Sequence, residues 1–378
     1  MSKNERFSVS MMDCICRIPS VLDTILSESD ETFRQFFDAY MSKLSELNEI
    51  IFIGSGTSNT ASISAKFFSE NAAGVRVTAA VPSEFLYSQT VYNPNALYVF
   101  ISQTGNSILT CEALKFAKDK GYMNVVISES ATTNAAKIAD VFINMHCGKE
   151  EYPMRTIGYS ATMLTLMLLA VEIGAKRGHI SAETRQKYYN EAKNAAENMR
   201  PVIDATMTWL DGNRRNMLRA DGIFIYGSGD LYGVALEGAV KIWETPQIIS
   251  VGYELEEGIH GPNYGFNHRH CVVVLNDGGK ENRKAIALAR YMKNEKLNGF
   301  LVGAGAETTN EPSGENAKPS PLNLSDLSFT PAGGAFCALE FAAVVQVMAY
   351  RLAEEQGRDL FAPHDNSVME GYFKSHDW

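Results

Sequence analysis

Basic charge is in short supply: 34 lysines and arginines stand against 44 aspartates and glutamates in 378 residues, a net charge of −10. Binding to nucleic acid or to an anionic membrane surface needs a positive field, so neither partner is expected. An anionic small molecule would have to be held by local dipoles. Cysteine is sparse too, and the six residues at 14, 16, 111, 147, 271 and 337 lack metal-ligand spacing. Cys14 and Cys16 form the one close pair and have no second half, so reduced thiols are expected. The pair His268 and His270 has no further ligand at metal-site spacing beside it, so it is not expected to hold an ion; no metal and no cofactor is expected. Long apolar runs are missing as well. Nothing approaches about 18 uninterrupted apolar residues, and the opening MSKNERFSVSMMDC has no apolar core of signal-peptide length, which leads to the expectation of a soluble, cytoplasmic protein.

What is present is ample apolar material, 45% of residues, in a chain too long for one ordinary core. The expected organisation is a helical segment at 1–30, a first domain at 31–200 and a second at 201–378. Phe33, Phe36, Phe37, Tyr40 and Leu44 fall at helical spacing and read as a packing helix over 31–47. From Ile50 the pattern becomes strand, tight turn, helix. Short apolar runs at 50–53, 75–81, 97–101, 124–127 and 141–145 alternate with helical stretches, and long helices are expected over 157–175 and 182–218. The second domain opens on a strand at 222–226 and continues with strands at 272–275, 300–302 and 327–330 and helices at 283–295 and 335–355. Such alternation predicts an α/β fold of parallel sheets covered on both faces, two tandem doubly wound αβα sandwiches. IFI-GSG at 51–56 and IFI-Y-GSG at 223–229 mark an internal duplication. The Gly/Pro/Ser-rich loop 303–321 reads as a solvated insertion, and the aromatic tail from 358 as a docking segment.

Two turns of the first domain are dense in hydroxyls and glycine: GSGTS at 54–58 and SQTGNS at 102–107. Each follows an expected strand and opens a helix, where backbone N–H groups and the helix dipole favour an anion. Ser55, Gly56, Thr57, Ser58, Ser102, Gln103, Thr104, Asn106 and Ser107 are therefore candidate phosphate ligands. Capping alone needs one side chain, and SQTGNS supplies several. Hydroxyls also bind phosphate without adding positive charge, which suits an acidic chain.

The stretch 235–262, ALEGAVKIWETPQIISVGYELEEGIHGP, holds Glu237, Lys241, Glu244 and His260. Offsets of four and seven place the first three on one helical face. Glu237 and Lys241 can pair at i,i+4, which leaves Glu244 over, on a last turn set by Thr245-Pro246. His260 lies in a Gly-Ile-His-Gly-Pro turn that can hold an imidazole at the lip of a pocket. A carboxylate and an imidazole are the minimum set for moving a proton between two carbons while a sugar ring opens.

With these motifs in view, the chain from about residue 30 onward resembles the double sugar-isomerase (SIS) domain family. Its likeness extends to the isomerase half of glucosamine-6-phosphate synthase, to amino-sugar-phosphate deaminase/isomerases and to deglycases of phosphorylated fructosamines. The resemblance implies a phosphate held by Ser102, Gln103, Thr104 and Ser107 with Ser58, a base at Glu244, and a ring-opening acid at His260 contributed by the neighbouring subunit of a homodimer. Lys241, paired with Glu237, would shape the field around Glu244. Arg155, in Tyr-Pro-Met-Arg at 152–155 where the family lines its sugar site, is a candidate for a substrate carboxylate. Two departures narrow the activity. Residue 2 is serine where a glutaminase domain needs cysteine, and Asp-Asn-Ser-Val at 365–368 stands where the synthase has its Schiff-base lysine, Lys374 being out of register. The expected function is thus a deglycase that cleaves a 6-phosphorylated fructosamine to hexose 6-phosphate and free amine. An aldose–ketose phosphosugar isomerase or an amino-sugar-phosphate deaminase is the alternative, and a non-catalytic phosphosugar sensor the second.

Overall fold

A computed structural model describes residues 6–306, 324–362, 371 and 372. The chain divides into two compact units, the first built on residues 20–193 and the second on 10–19 and 194–360. In chain order the first stretch gives α1 (Met11–Ser27), α2 (Ser29–Thr32), α3 (Arg34–Tyr40), β1 (Glu49–Gly54), α4 (Thr57–Ala73), β2 (Arg76–Ala80), β3 (Ala96–Ile101), α5 (Ile108–Asp119), β4 (Met123–Ser128), α6 (Asn134–Ile138), β5 (Val141–Asn144), α7 (Ile157–Lys176) and α8 (Ala182–Met217). The second unit continues with β6 (Gly222–Gly227), α9 (Asp230–Glu244), β7 (Ile249–Glu254), α10 (Pro262–Gly265), β8 (His270–Asn276), α11 (Asn282–Glu295), β9 (Gly299–Gly303) and α12 (Ala338–Glu355).

The sheet of the first unit has strand order β2-β1-β3-β4-β5 and that of the second β7-β6-β8-β9, every pair parallel. Parallel strands need helical crossovers that cover both sheet faces, which is why β1, β3 and β4 are continuous apolar runs buried along nearly their whole length. The fold is α/β, two doubly wound parallel-sheet units in tandem. In each, the order reverses beside the first strand, so a crevice opens at the carboxyl ends of β1 and β3, and again of β6 and β8.

The duplication extends to backbone angles. Gly56 caps α4 at φ 57°, ψ −128°, and Gly229 caps α9 at φ 57°, ψ −127°. Both angles lie where only glycine is unstrained. The preceding strand-end glycines have no room for a side chain. A Cβ on Gly54 would fall 2.7 Å from Ser58 Cβ, and one on Gly227 would fall 2.2 Å from the Leu231 carbonyl oxygen.

Three expectations change. The packing helix over 31–47 is broken into α2, α3 and a 3-10 turn at Met41–Lys43, with Phe33 in a near-bridge conformation (φ −94°, ψ −1°) between the first two. Leu327 contributes an isolated parallel bridge to Val302, not a strand over 327–330. No strand is expected between 245 and 260, yet this stretch contains β7. Pro246 before it and Gly252 within it mask the strand signal. An added Cβ on Gly252 would meet the Ala235 carbonyl oxygen at 2.6 Å, so the glycine lets α9 lie directly on the edge strand. Loop 307–323 and the tail at 363–370 and 373–378 lie outside the described residues.

Two helices, Ile157–Lys176 and Gly334–Glu355, are long and apolar enough to cross a membrane, but 100% and 78% of their apolar windows are buried inside the protein. They are the core helices of their units.

Candidate active site

In the first unit the two hydroxyl-rich turns stand side by side, because β1 and β3 pair in register from Glu49 with Ala96 to Gly54 with Ile101. Ser55 and Gly56 are exposed and Thr57 and Ser58 half-buried. The Ser58 Cβ adjoins Gly54, and the Ser58 carbonyl accepts from Ser62 Oγ at 2.8 Å. In the second turn Ser102 is buried and its hydroxyl donates to Ser107 Oγ at 3.3 Å, which draws 102–107 into a loop. Gly105, at φ 64°, closes that loop against Thr133, whose Cβ would lie 2.3 Å from an added side chain. Ser107 caps α5 with no side-chain hydrogen bond to the helix. The first amides of α5 therefore keep the donor capacity that suits an anion.

The neighbouring helix start is different. Glu150, 3% exposed, places Oε1 2.7 Å from the Thr156 amide, 2.9 Å from its hydroxyl and 3.0 Å from the Ile157 amide, with Oε2 3.1 Å from the Gly158 amide. The N-terminus of α7 already holds an anion, the protein's own. Gln103 is tied to this cap: its Nε2 lies 3.5 Å from Glu150 Oε2, and its side chain also bonds Glu129. Burial raises the Glu129 carboxyl, with Arg155 and Gln103 pulling it back. An amide whose N–H groups face two carboxylates has little left to donate to a phosphate. The side-chain oxygen of Gln103 instead packs on Gly158, where a Cβ would fall 1.9 Å away. Asn106 accepts from Asn134 Nδ2 at 3.0 Å. Thr104, Ser107 and the open amides are the groups of this turn best placed to donate.

Arg155 is half-buried and donates Nη1 to the carbonyls of Glu150 (2.7 Å) and Tyr152 (3.3 Å), so it braces the loop that carries Glu150. Cys147 adjoins this loop, its thiol pushed up to about 12 by burial and by Glu129 and Glu150; it stays protonated and is no nucleophile. Sequence reasoning missed Glu129, Glu150 and Gly158. The one available signal was a carboxylate shortly before a long apolar helix, the ordinary position for a cap.

In the second unit Glu237, Lys241 and Glu244 do share one face of α9. Glu237 and Lys241 are fully buried, and Lys241 Nζ lies 3.2 Å from Glu237 Oε1 and 2.5 Å from Glu244 Oε2. Burial by itself would lower the Lys241 ammonium, but the two carboxylates outweigh it and the net shift is upward. The ladder leads from the interior to Glu244, whose side chain is 37% exposed.

His260 is elsewhere. Helix α9 runs antiparallel to β6 and β7, so Glu244, near Ser250 where the Trp243 indole donates at 2.8 Å, belongs to the start of β7. The other end of β7 leads to Leu255, whose amide donates to Gly227 at 3.1 Å, and to Gly258, whose carbonyl accepts from Tyr226 Oη at 3.1 Å. Six residues of strand separate the two ends by about 20 Å. Glu244 and His260 of one chain therefore sit at opposite ends of the same edge strand. The imidazole is 68% exposed, 2.9 Å from Glu256 Oε1, and the other oxygen of Glu256 pairs with Lys284. The crevice of the second unit differs in charge from that of the first. Asp230 and Asp277 stand at its turns and, after burial, help push the Cys337 thiol up. Among the described residues no group of three His, Cys, Asp or Glu could hold a metal ion.

Two parallel sheets, each joined by helical crossovers and each with a crevice at its strand ends, define a doubly wound α/β class. Residues 43–172 match the SIS domain family model. The first unit is thus a SIS domain, and the chain as a whole resembles double-SIS proteins of the phosphosugar-isomerase type. It is 25% identical over 322 residues to glutamine–fructose-6-phosphate aminotransferase (isomerizing) of Zymomonas mobilis subsp. mobilis, which covers 85% of this chain and 52% of that protein. The chain spans about half the length of the curated relatives it matches. A solved structure from Clostridium difficile 630, proposed to be a phosphosugar isomerase, matches with TM-score 0.83 and 25% identity over 98% of this chain and 99% of that one. The C-terminal domain of glucosamine-fructose-6-phosphate aminotransferase from Francisella tularensis matches with TM-score 0.83 over 94% and 99%; at 20% identity it speaks for the fold alone.

Proposed function

We propose that the protein interconverts the aldose and ketose forms of a 6-phosphorylated sugar or amino sugar by moving a proton between C1 and C2. The observation that carries this reading is the buried Glu237–Lys241–Glu244 ladder. A buried ion triad is less stabilising than apolar residues of equal volume, so a fold has no need of one for packing. What this triad does achieve is to fix one half-exposed carboxylate, the arrangement a general base requires. A phosphosugar sensor has no use for it.

In this mechanism the phosphate is held by Thr104, Ser107 and the amides at the start of α5. Glu244 takes the proton from one carbon while the carbonyl oxygen gains a proton from water to give an enediol; Glu244 then returns its proton to the former carbonyl carbon as the hydroxyl on the other carbon gives up its proton to water and becomes the new carbonyl. His260 acts as the ring-opening acid. Since the two residues of one chain lie at opposite ends of β7, the imidazole is supplied by a second copy.

A second outcome at the same site is expulsion of an amine from a 6-phosphorylated fructosamine. It is favoured by the sequence at 365–368, which offers no lysine to hold a ketose and which lies outside the described residues. The experiment is a product assay on fructose 6-phosphate, glucosamine 6-phosphate and a panel of fructosamine 6-phosphates. Aldose–ketose exchange with solvent proton incorporation at C1 or C2 supports the first reading. Release of ammonia or of an amino acid supports a deaminase or a deglycase. No turnover of any of them, with phosphosugar binding intact, defeats both enzymatic readings.

A further inference from the structure

The turn that carries His260 is fixed at three points of its backbone. The Leu255 amide donates to the Gly227 carbonyl at 3.1 Å, Tyr226 Oη donates to the Gly258 carbonyl at 3.1 Å, and Glu254 Oε2 accepts from the amides of Glu256 (2.7 Å) and Glu257 (2.9 Å). An added Cβ on Gly258 would lie 2.2 Å from the Tyr226 ring, so the glycine lets the turn sit against it. A single 3-10 turn, Glu257–Ile259, follows, with Glu256 before it and His260 after it.

A chain of ion pairs is built onto this turn. His260 Nε2 lies 2.9 Å from Glu256 Oε1, Glu256 Oε2 takes the Lys284 ammonium, and Lys284 also pairs with Glu281 at 2.8 Å. The His260 contact is not a by-product of helical spacing. In a 3-10 helix residue i+3 stands over residue i, whereas i+4 is turned roughly 120° away. His260 reaches Glu256 because it leaves the helix, at φ −101° and ψ 73°. Stability does not account for the contact either, since exposed ion pairs contribute little and the two side chains are 68% and 51% exposed. Lys284 stands in the first turn of α11, where the helix dipole disfavours a cation. Glu256 and Glu281 are what hold it there.

Lys284 first, and the imidazole next, keep the Glu256 carboxyl below the ordinary carboxylate range. An ionised carboxylate can only accept, so the ring nitrogen facing it is the donor and Nε2 carries a hydrogen. Nδ1 makes no hydrogen bond among the described residues and is the nitrogen left to exchange a proton. We infer that Glu256, clamped by Lys284, is a positioning residue for His260, fixing the imidazole so that Nδ1 is the atom that gives the proton in ring opening. The inference rests on the reading of His260 as the ring-opening acid. In that step the C2–O5 bond of the cyclic ketose breaks and its electron pair goes to O5, which takes the Nδ1 proton. The anomeric hydroxyl loses its proton to water as the C2 carbonyl forms. Glu256 belongs to the same chain as His260, so it accompanies the imidazole to whichever site that serves.

The test compares fructose 6-phosphate with 5-deoxyfructose 6-phosphate, which has no 5-hydroxyl to close on C2 and stays open. Exchange of the C1 hydrogens with D2O, followed by proton NMR at subsaturating substrate, reads proton abstraction in both. Glu256→Ala should lower the rate on fructose 6-phosphate about tenfold or more and leave that on the open analogue within about twofold. Glu256→Gln, which keeps an acceptor oxygen, should recover part of the loss. His260→Ala should show the same split, and Glu244→Gln should fall on both compounds. A merely structural role would lower both rates in Glu256→Ala. That result, or a wild-type rate of Glu256→Ala on fructose 6-phosphate, overturns the proposal and leaves the isomerase reading intact. Full exchange on both compounds in Glu244→Gln, or none in the wild type, overturns the reading and the proposal with it.

Discussion

Lys241 and Glu244 are one turn apart on α9, their charged atoms 2.5 Å apart, with the ammonium fully buried and the carboxylate partly open to solvent. The pair has a direction: one member is locked and the other presented. If Glu244 is the base, Glu244→Gln should lose about 10²- to 10⁴-fold in kcat while its KM for the phosphosugar changes little. Steady-state kinetics on the best substrate of the product assay reads this directly, and wild-type turnover removes Glu244 from the mechanism.

The inner half of the ladder predicts stability instead. Removing the ammonium with Lys241→Met takes the opposite charge away from the buried Glu237, which should cost about 3–5 kcal/mol. Adding Glu237→Gln removes the orphaned charge and should recover much of that loss. Urea unfolding of the two single variants and the double variant measures the coupling; additive losses would show that the two side chains do not act as a pair.

Much of this site was legible in the sequence, and the exceptions have physical causes. The i, i+4, i+7 spacing on α9 placed its three charges correctly, because helical geometry follows from spacing alone. The two turns were found because strand, glycine and hydroxyl cluster within a few residues. Strand β7 was not legible: it is an edge strand of mixed polarity, bounded by Pro246 and interrupted by Gly252. Without it, the sequence assigned no element between α9 and the His260 turn, so the separation of Glu244 and His260 by a full strand could not be read from it. Gln103 shows a different limit. Its composition said phosphate ligand, yet partners distant in sequence, Glu129 and Glu150, occupy its donors.

Gly158 tests that last point. Glycine to alanine inside a helix ordinarily stabilises by about 1 kcal/mol. Here the new methyl would meet the Gln103 side-chain oxygen at 1.9 Å, and the flexible amide must move. Gly158→Ala should leave thermal stability nearly unchanged, raise KM for the phosphosugar several-fold by disturbing the 102–107 turn, and spare kcat. An unaltered KM would mean that the Gln103 side chain does not position the turn.

His146 sets a pH dependence. Burial depresses its imidazole below the ordinary 6.5, with Glu28 pulling the other way, and Nε2 lies 2.7 Å from Thr32 Oγ1. Between the folded value and 6.5 the unfolded chain binds more protons, so stability rises with pH in that window and falls on acidification through it. Below the folded value both states are protonated and this contribution is gone. Comparing the unfolding free energy of wild type and His146→Gln from pH 7.5 downward should show a shallower slope in the variant just below pH 6.5. Parallel curves would assign the acid sensitivity elsewhere.

The separation of Glu244 from His260 across β7 gives the sharpest test, since a single chain cannot bring them together. Glu244→Gln and His260→Ala should each be nearly inactive alone. If two copies share their sites as proposed, then after mixing and subunit exchange half of the dimers are heterodimers, and each of these has one site with both native residues and one site with neither. Activity should then return to about a quarter of wild type, the value for two shared sites related by a two-fold axis. Crosslinking the homodimers before mixing should abolish the recovery. If exchange is confirmed by mass spectrometry and no activity returns, His260 does not serve the site of another copy, and with the geometry of β7 it has no path to Glu244 at all.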